Sequence, residues 1–179
     1  VSNNPLKTME LRKMSGGNAQ EHVGKFGCVR YYVPSSCSHT NSLYVVKDKN
    51  KSHMGIDLLA SENTPIYSAV DGIAYVYPGE ISGYGKTISV KGKLKNLKTG
   101  KQEDVYVIYA HLNSISVKNG DEVKISDALG KTGITGNGDV SKKEERHLHL
   151  EILTQKWPQK AKGFTIRKNP LNYFKIINP

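Results

Sequence analysis

Hydrophobic and polar positions alternate with a period of two along most of the chain from residue 53 onward. The segments IYSAV, GIAYVYP, KTISVKG, DVYVIYAHL, SISVK, DEVKI, ALGKTG and HLHLEIL follow one another at short spacing, broken by Gly, Asn and Asp. This alternation marks strands with one buried face, and the breaks mark turns. Asp71-Gly72 and Asn119-Gly120 are tight-turn signals, because Gly accepts the left-handed backbone that such turns demand. The lysine-rich LKNLKTGKQE, residues 94 to 103, reads as a solvated hairpin tip between two strands. Long helical periodicity is absent. One short helix is expected around Leu6 to Met14, ended by SGGN at 15 to 18. Residues 25 to 50 mix short apolar pieces with Pro, Ser and Asn and read as loop plus short strands. The tail from 167 to 179 carries Leu171, Tyr173, Phe174, Ile176 and Ile177, and is expected to pack back onto the body. The pattern predicts a mainly β, antiparallel fold. One domain is expected over 25–179, after an N-terminal extension over 1–24 built as a short helix or loop.

The alternation carries an unusual cargo in HLHLEIL, residues 147 to 153. Leu148, Leu150 and Ile152 fall on one face, and His147, His149 and Glu151 on the other. Two imidazoles on one strand face stand roughly 7 Å apart at the backbone, given the rise of about 3.3 Å per residue. Two more short stretches, SHMGID (52 to 57) and YAHLNS (109 to 114), contribute His53, Asp57 and His111. His53 and Asp57 are an even number of residues apart, with Gly55 between them to allow a bend. One His, one Asp and a further His from the 147/149 pair make a three-ligand set. Three protein ligands with an open position mark a catalytic zinc site, whereas structural zinc is closed by four ligands and often uses Cys. Two imidazoles and a carboxylate suit zinc better than calcium or magnesium. His111 and the remaining histidine of the pair are then left to move protons and stabilise a developing oxyanion. His22 and His39 read as surface or hydrogen-bonded residues. Other hydrolase templates fail: the chain has no GxSxG elbow and no HExxH, and neither cysteine lies in a nucleophile context.

Length and composition narrow the class further. A chain of 179 residues is enough for one domain with a real core. No run of 18 apolar residues occurs, so no transmembrane helix is expected. The start, VSNNPLKTME, displays no export signal and leaves the address unread. The formal net charge is +10, which favours polyanions such as anionic cell-wall polymers, membrane surfaces or nucleic acid. The dense lysine stretches, 91 to 101 and 156 to 164, lack the interleaved aromatics of a single-strand binder, so no nucleic-acid partner is expected. Cys28 and Cys37 are close enough in sequence to close a small loop as a disulfide. Two free thiols fit almost equally well, and a metal site with His22 and His39 matches no zinc spacing.

These residues, in this order, resemble the lysostaphin-like (LytM, M23) zinc metallopeptidase family. The first half matches through His53, Gly55, Asp57 and Ala60, then Thr64-Pro65 leading to Gly72, then Tyr84-Gly85. The second half matches through YAHL (109 to 112), VKNGDEVKISDALGKTGITGNG (117 to 138) and RHLHLEI (146 to 152). The resemblance covers about 25 to 175. It departs at Ser126, where the family often has Gly, and in a longer, Cys-containing approach over 28 to 50 that could wall or cover the groove. It implies an antiparallel β domain with an open substrate groove. It also implies a zinc-dependent endopeptidase that hydrolyses peptidoglycan stems or cross-links with zinc-activated water. His53, Asp57 and His149 are then the zinc ligands, and His111 and His147 the catalytic pair. Glu151 is expected either to orient a ligand or to be an ordinary surface carboxylate, and Tyr84 either to line the groove or to be a plain turn tyrosine. The implied location is periplasmic, cell-wall associated or secreted. Two other uses of the same fold are a delivered antibacterial toxin, with an inhibitory or immunity protein as partner, and a non-hydrolysing peptidoglycan-binding or regulatory module.

Overall fold

The computed structural model describes residues 2–12, 26, 53–138, 143–156 and 166–177. Among them nine strands form one antiparallel sheet. These are β1 (Ile56–Leu59), β2 (Pro65–Tyr67), β3 (Gly72–Val76), β4 (Lys86–Lys95), β5 (Gln102–Ile115), β6 (Glu122–Val123), β7 (Ala128–Thr132), β8 (His147–Leu153) and β9 (Arg167–Lys168). The main path runs β1-β8-β5-β4-β3-β6. β7 joins β2 to β5, and β9 lies on β8. The expected mainly antiparallel β architecture is therefore the observed one. Two of the predicted segments, DVYVIYAHL and the start of SISVK, run together as the single long β5, because a bulge rather than a turn separates them. The hairpin tip falls where the lysine-rich stretch placed it, between Lys95 and Gln102, which face each other across β4 and β5. Cys28, Cys37, His22, His39 and the short strands expected between 25 and 50 lie outside the described residues, apart from Phe26, which packs against the core.

Alternation sets the two faces of the sheet. Ile56 and Leu58 of β1, Ile88 and Val90 of β4, Val105, Val107 and Tyr109 of β5, and Leu148, Leu150 and Ile152 of β8 fill one core. The intervening residues Asp57, Ala110, His149 and Glu151 share the opposite face. The register puts Asp57 across from His149, and His149 across from Ala110. β8 is central, flanked by β1 and β5, and side chains of His53, Tyr84, His111 and Arg167 lie over its second face, so all seven residues from His147 to Leu153 are buried.

The helix expected around Leu6 to Met14 is not formed over residues 2–12. Backbone groups there bond to strands instead: Tyr67 N–H to Pro5 O (2.9 Å), Leu59 N–H to Glu10 O (2.7 Å) and Arg12 N–H to Asp57 O (2.8 Å). Leu6, Met9 and Leu11 lie at nearly helical spacing, but they are buried in the main core, and Leu11 bridges Leu58. Tertiary hydrogen bonding overrides a weak local preference. The C-terminal segment packs back as expected, with Tyr173 and Phe174 buried, while Ile177 stays exposed. Glu103 at the hairpin holds that segment. It accepts from Tyr173 Oη (2.7 Å) and Asn96 Nδ2 (2.9 Å) and pairs with Lys168.

Two expected outcomes follow from this packing. Leu11→Ala should lower the unfolding free energy by about 2–5 kcal/mol in denaturant titration, as for any buried leucine. A change below about 0.5 kcal/mol would mark residues 2–12 as outside the cooperative unit. Hydrogen bonds from Lys168 and then Tyr173 hold the Glu103 carboxyl down, to about 2 from 4.5. Its contribution is therefore present above about 4.5 and lost as pH falls through about 2. Glu103→Gln should flatten the acid limb of stability in that window, and an unchanged limb would show that the contact is screened by solvent.

Candidate metal centre and active site

Each histidine of the three stretches reaches the site by a different local device. β1 and β8 are neighbours, so alternation alone brings Asp57 and His149 side by side on one face. His53 precedes β1 and enters through Gly55. A Cβ at Gly55 would stand 2.2 Å from Leu150 O, so only Gly lets the chain cross β8 there. His111 would point into the core under strict alternation. The register between β4 and β5 shifts at this point: Ile88 faces Tyr109, but Lys86 faces Leu112, leaving one extra residue on β5. A bulge of this kind re-aims a side chain. His111 adopts φ 62°, an uncommon conformation for a residue with a Cβ, and its ring turns toward His147 and His149, with centroids 5.3 and 5.6 Å away.

The geometry brings together every site residue expected from sequence. His53 Nε2 lies 3.0 Å from Asp57 Oδ1 and 3.2 Å from His149 Nδ1, and His149 Nδ1 lies 2.9 Å from Asp57 Oδ1. All three residues are buried. The other ring nitrogen of His149, Nε2, donates to Glu151 Oε1 (3.0 Å). In the neutral ring Nδ1 is therefore a lone pair, aimed at a carboxylate oxygen and a second imidazole nitrogen. With Nε2 of His53 and Nδ1 of His149 both unprotonated, these three atoms repel one another unless a cation lies among them. Burial works against a charged His149, but hydrogen bonds to Asp57 and Glu151 outweigh it and hold the ring protonated up to about 9. For Asp57 burial favours the neutral acid, yet the surrounding imidazoles, His147 and His53 foremost, keep the carboxyl well below its ordinary value. The pocket thus attracts positive charge. Ligands at about 2.0–2.1 Å in a tetrahedral shell stand roughly 3.3 Å from one another, close to the spacing here, so the donor set fits zinc.

Glu151 is not a surface carboxylate: it is fully buried in β8. Its Oε1 accepts from Tyr84 Oη (2.6 Å) as well as His149, and its Oε2 accepts from Arg167 Nε (2.9 Å). Tyr84 is half-buried beside His149, with ring centroids 5.8 Å apart. Burial, and then the Glu151 charge, keep its phenol protonated. His111 and His147 are oriented by backbone carbonyls. His111 Nδ1–H donates to Thr135 O (2.9 Å) and His147 Nδ1–H to Glu145 O (3.0 Å). A carbonyl only accepts, so each ring carries its proton at Nδ1 and offers Nε2 as a base. Burial, and then the neighbouring imidazoles, push His111 down to about 3. Burial also lowers His147 against the pull of Asp57. Both rings are neutral at neutral pH.

Four contributors escaped the sequence reading. Thr135 lies in the GKTGITGNG segment, already singled out, but its function there is visible only in space: its carbonyl takes His111, and its Oγ1 bridges Lys86 N and Leu112 O across the bulge. Gly138 lies against the His111 ring. Arg12 and Arg167 contact Asp57 and Glu151 from segments that carry no motif.

The model of peptidase family M23 matches residues 51–161. A metalloprotease of Buchnera aphidicola is 31% identical over 86% of the chain and 39% of its own length. The peptidoglycan DD-endopeptidase ShyC of Vibrio cholerae is 32% identical over 66% of the chain and 24% of its own length. The chain thus spans well under half the length of these relatives. In fold it is similar to the catalytic domain of the antimicrobial peptidase lysostaphin from Staphylococcus simulans, at 20% identity and TM-score 0.54, over 82% of this chain and 86% of that one. With more than half of its length matched by one family model around the His and Asp residues that converge here, the chain belongs to peptidase family M23.

Proposed function

We propose that this protein is a zinc-dependent endopeptidase that hydrolyses amide bonds in the peptide stems or cross-links of bacterial peptidoglycan. The observation that carries the reading is the convergence of His53 Nε2, Asp57 Oδ1 and His149 Nδ1 beside two neutral imidazoles whose Nε2 atoms are available. When bound by those three residues, zinc would supply Lewis acidity for attack of water on a carbonyl. One of the two available Nε2 atoms, on His111 or His147, accepts the proton of the attacking water and returns it to the departing amine nitrogen. While it carries that proton, the ring donates from Nε2–H toward the negative charge on the tetrahedral carbon's oxygen. Glu151 holds His149 in the tautomer that presents Nδ1, with Tyr84 and Arg167 balancing its charge. Tyr84 lines the approach beside His149. The peptidoglycan substrate is supported by the ShyC likeness and by the net charge of +10, which suits an anionic wall. A periplasmic, wall-associated or secreted setting follows from that substrate.

Digestion of purified peptidoglycan from several wall types, with mass analysis of released fragments, tests this. The protein should release new fragments, and His149→Ala or a zinc chelator should abolish them. No fragments from any wall while zinc is bound would favour a binding or regulatory module. His111→Ala and His147→Ala should each lower kcat by about 10²–10⁴-fold with zinc content kept. A Cβ at Gly138 would stand 2.6 Å from the His111 Cβ, so Gly138→Ala should displace that ring and lower kcat by up to about 10²-fold without metal loss. Wild-type kcat in Gly138→Ala would remove His111 from the reaction.

A further inference from the structure

Asp57 keeps different company on its two oxygens. Oδ1 faces the two ligand imidazoles, while Oδ2 accepts from Arg12 Nη1 at 3.3 Å and stands 3.5 Å from His147 Nε2. The second prong of the same guanidinium, Nη2, donates to Glu145 Oε2 at 3.4 Å. Glu145 closes the short 3-10 turn Lys143–Glu145, and its carbonyl is the group that orients His147. One fork therefore spans a ligand residue and the residue that aims an assisting histidine. All three side chains are nearly out of water, with 12% of Arg12, 4% of Asp57 and 6% of Glu145 exposed. Arg12 Nε is buried with no hydrogen-bond partner, so the cation is held there by its two carboxylates through the terminal nitrogens.

The backbone explains how Arg12 arrives. Residues 10–12 flank the outer edge of β1, with Leu11 facing the core opposite Leu58. Alternation then turns Arg12 to the other face, beside Asp57. A carboxylate ligand can bind a cation through one oxygen or through both. The charge-assisted hydrogen bond from Arg12 Nη1 engages Oδ2 and leaves Oδ1 as the oxygen turned to the ligand imidazoles. We propose that Arg12 is a positioning residue that restricts Asp57 to coordination through Oδ1 and, through Glu145, fixes His147 relative to the metal. The inference rests on the zinc reading of the site. It makes the N-terminal segment part of the active site rather than an appendage.

The test uses the full chain loaded with Co²⁺, whose visible absorption weakens as coordination number rises, and compares wild type with Arg12→Met and Arg12→Lys. Freeing Oδ2 lets Asp57 take a second bond. Arg12→Met should therefore show a weaker d–d band and, by competition with a chelator, about 10–100-fold weaker metal binding. Arg12→Lys keeps the charge but cannot bridge both carboxylates, and should show the same spectral change with a smaller loss of affinity. Wild-type spectra and affinities in both variants would overturn the proposal, even with a lowered Tm, because Arg12 would then only brace the edge of β1. If Arg12→Met does not fold, the lysine variant decides by the same two readouts. A wild-type chain that takes up neither Co²⁺ nor Zn²⁺ stoichiometrically would overturn the metal reading itself, which separates the two failures.

Discussion

Two imidazole nitrogens and a carboxylate oxygen pressed together out of water are the constraint around which this fold is arranged. His53 Nε2, Asp57 Oδ1 and His149 Nδ1 lie 2.9–3.2 Å apart. Such a cluster is unfavourable unless positive charge fills it, whether a proton on a ring nitrogen or a metal ion. The sheet supplies the means to keep it. β8 is held between β1 and β5, so register keeps Asp57 and His149 opposite each other on one face, and Glu151 fixes the His149 tautomer from behind. The charges are layered: imidazoles around Asp57, then Arg12 and Arg167 on the outer oxygens of Asp57 and Glu151. Buried charge is tolerated here because every member has a partner of opposite sign or a hydrogen bond.

The second constraint is conformational. His111 sits at φ 62° on a bulge, a backbone state that costs free energy for a side chain with a Cβ. Thr135 and Gly138 keep it there. The Thr135 carbonyl accepts from both His111 Nδ1 and Gly138 N, and its hydroxyl closes the bulge. The reward is an imidazole that points at the ligand cluster from β5, with Nε2 free of backbone. Ser126 shows the same economy on a smaller scale. The family pattern favours Gly at this turn, and the serine takes φ 73° while its hydroxyl donates to Ser2 O, which helps to fasten the N-terminal segment.

What the sequence disclosed depended on how local each signal was. The strands were legible because alternation is written into consecutive residues, and β8 exposed both the core face and the chemical face in one heptapeptide. The five residues His53, Asp57, His111, His147 and His149 were legible because three short motifs carry them. Other features were set by neighbours in space. The LKTMEL stretch looks helical, yet its backbone bonds go to Leu59 of β1 and to Ile177 of the C-terminal segment. Glu151 read equally well as a surface carboxylate, because nothing in HLHLEIL says that Tyr84 and Arg167 lie over that face of β8. Arg12 and Arg167 were invisible, since a guanidinium that answers a buried carboxylate can come from any segment the topology brings near.

Whether His53, Asp57 and His149 hold zinc is decided by zinc K-edge X-ray absorption on the purified, zinc-loaded protein. One zinc per chain with two histidine nitrogens, one protein oxygen and a light-atom ligand from solvent is expected, with loss of the histidine scattering pattern in His149→Ala. Sulfur in the shell, or a zinc signal unchanged by His149→Ala, would place the metal elsewhere and overturn the zinc assignment.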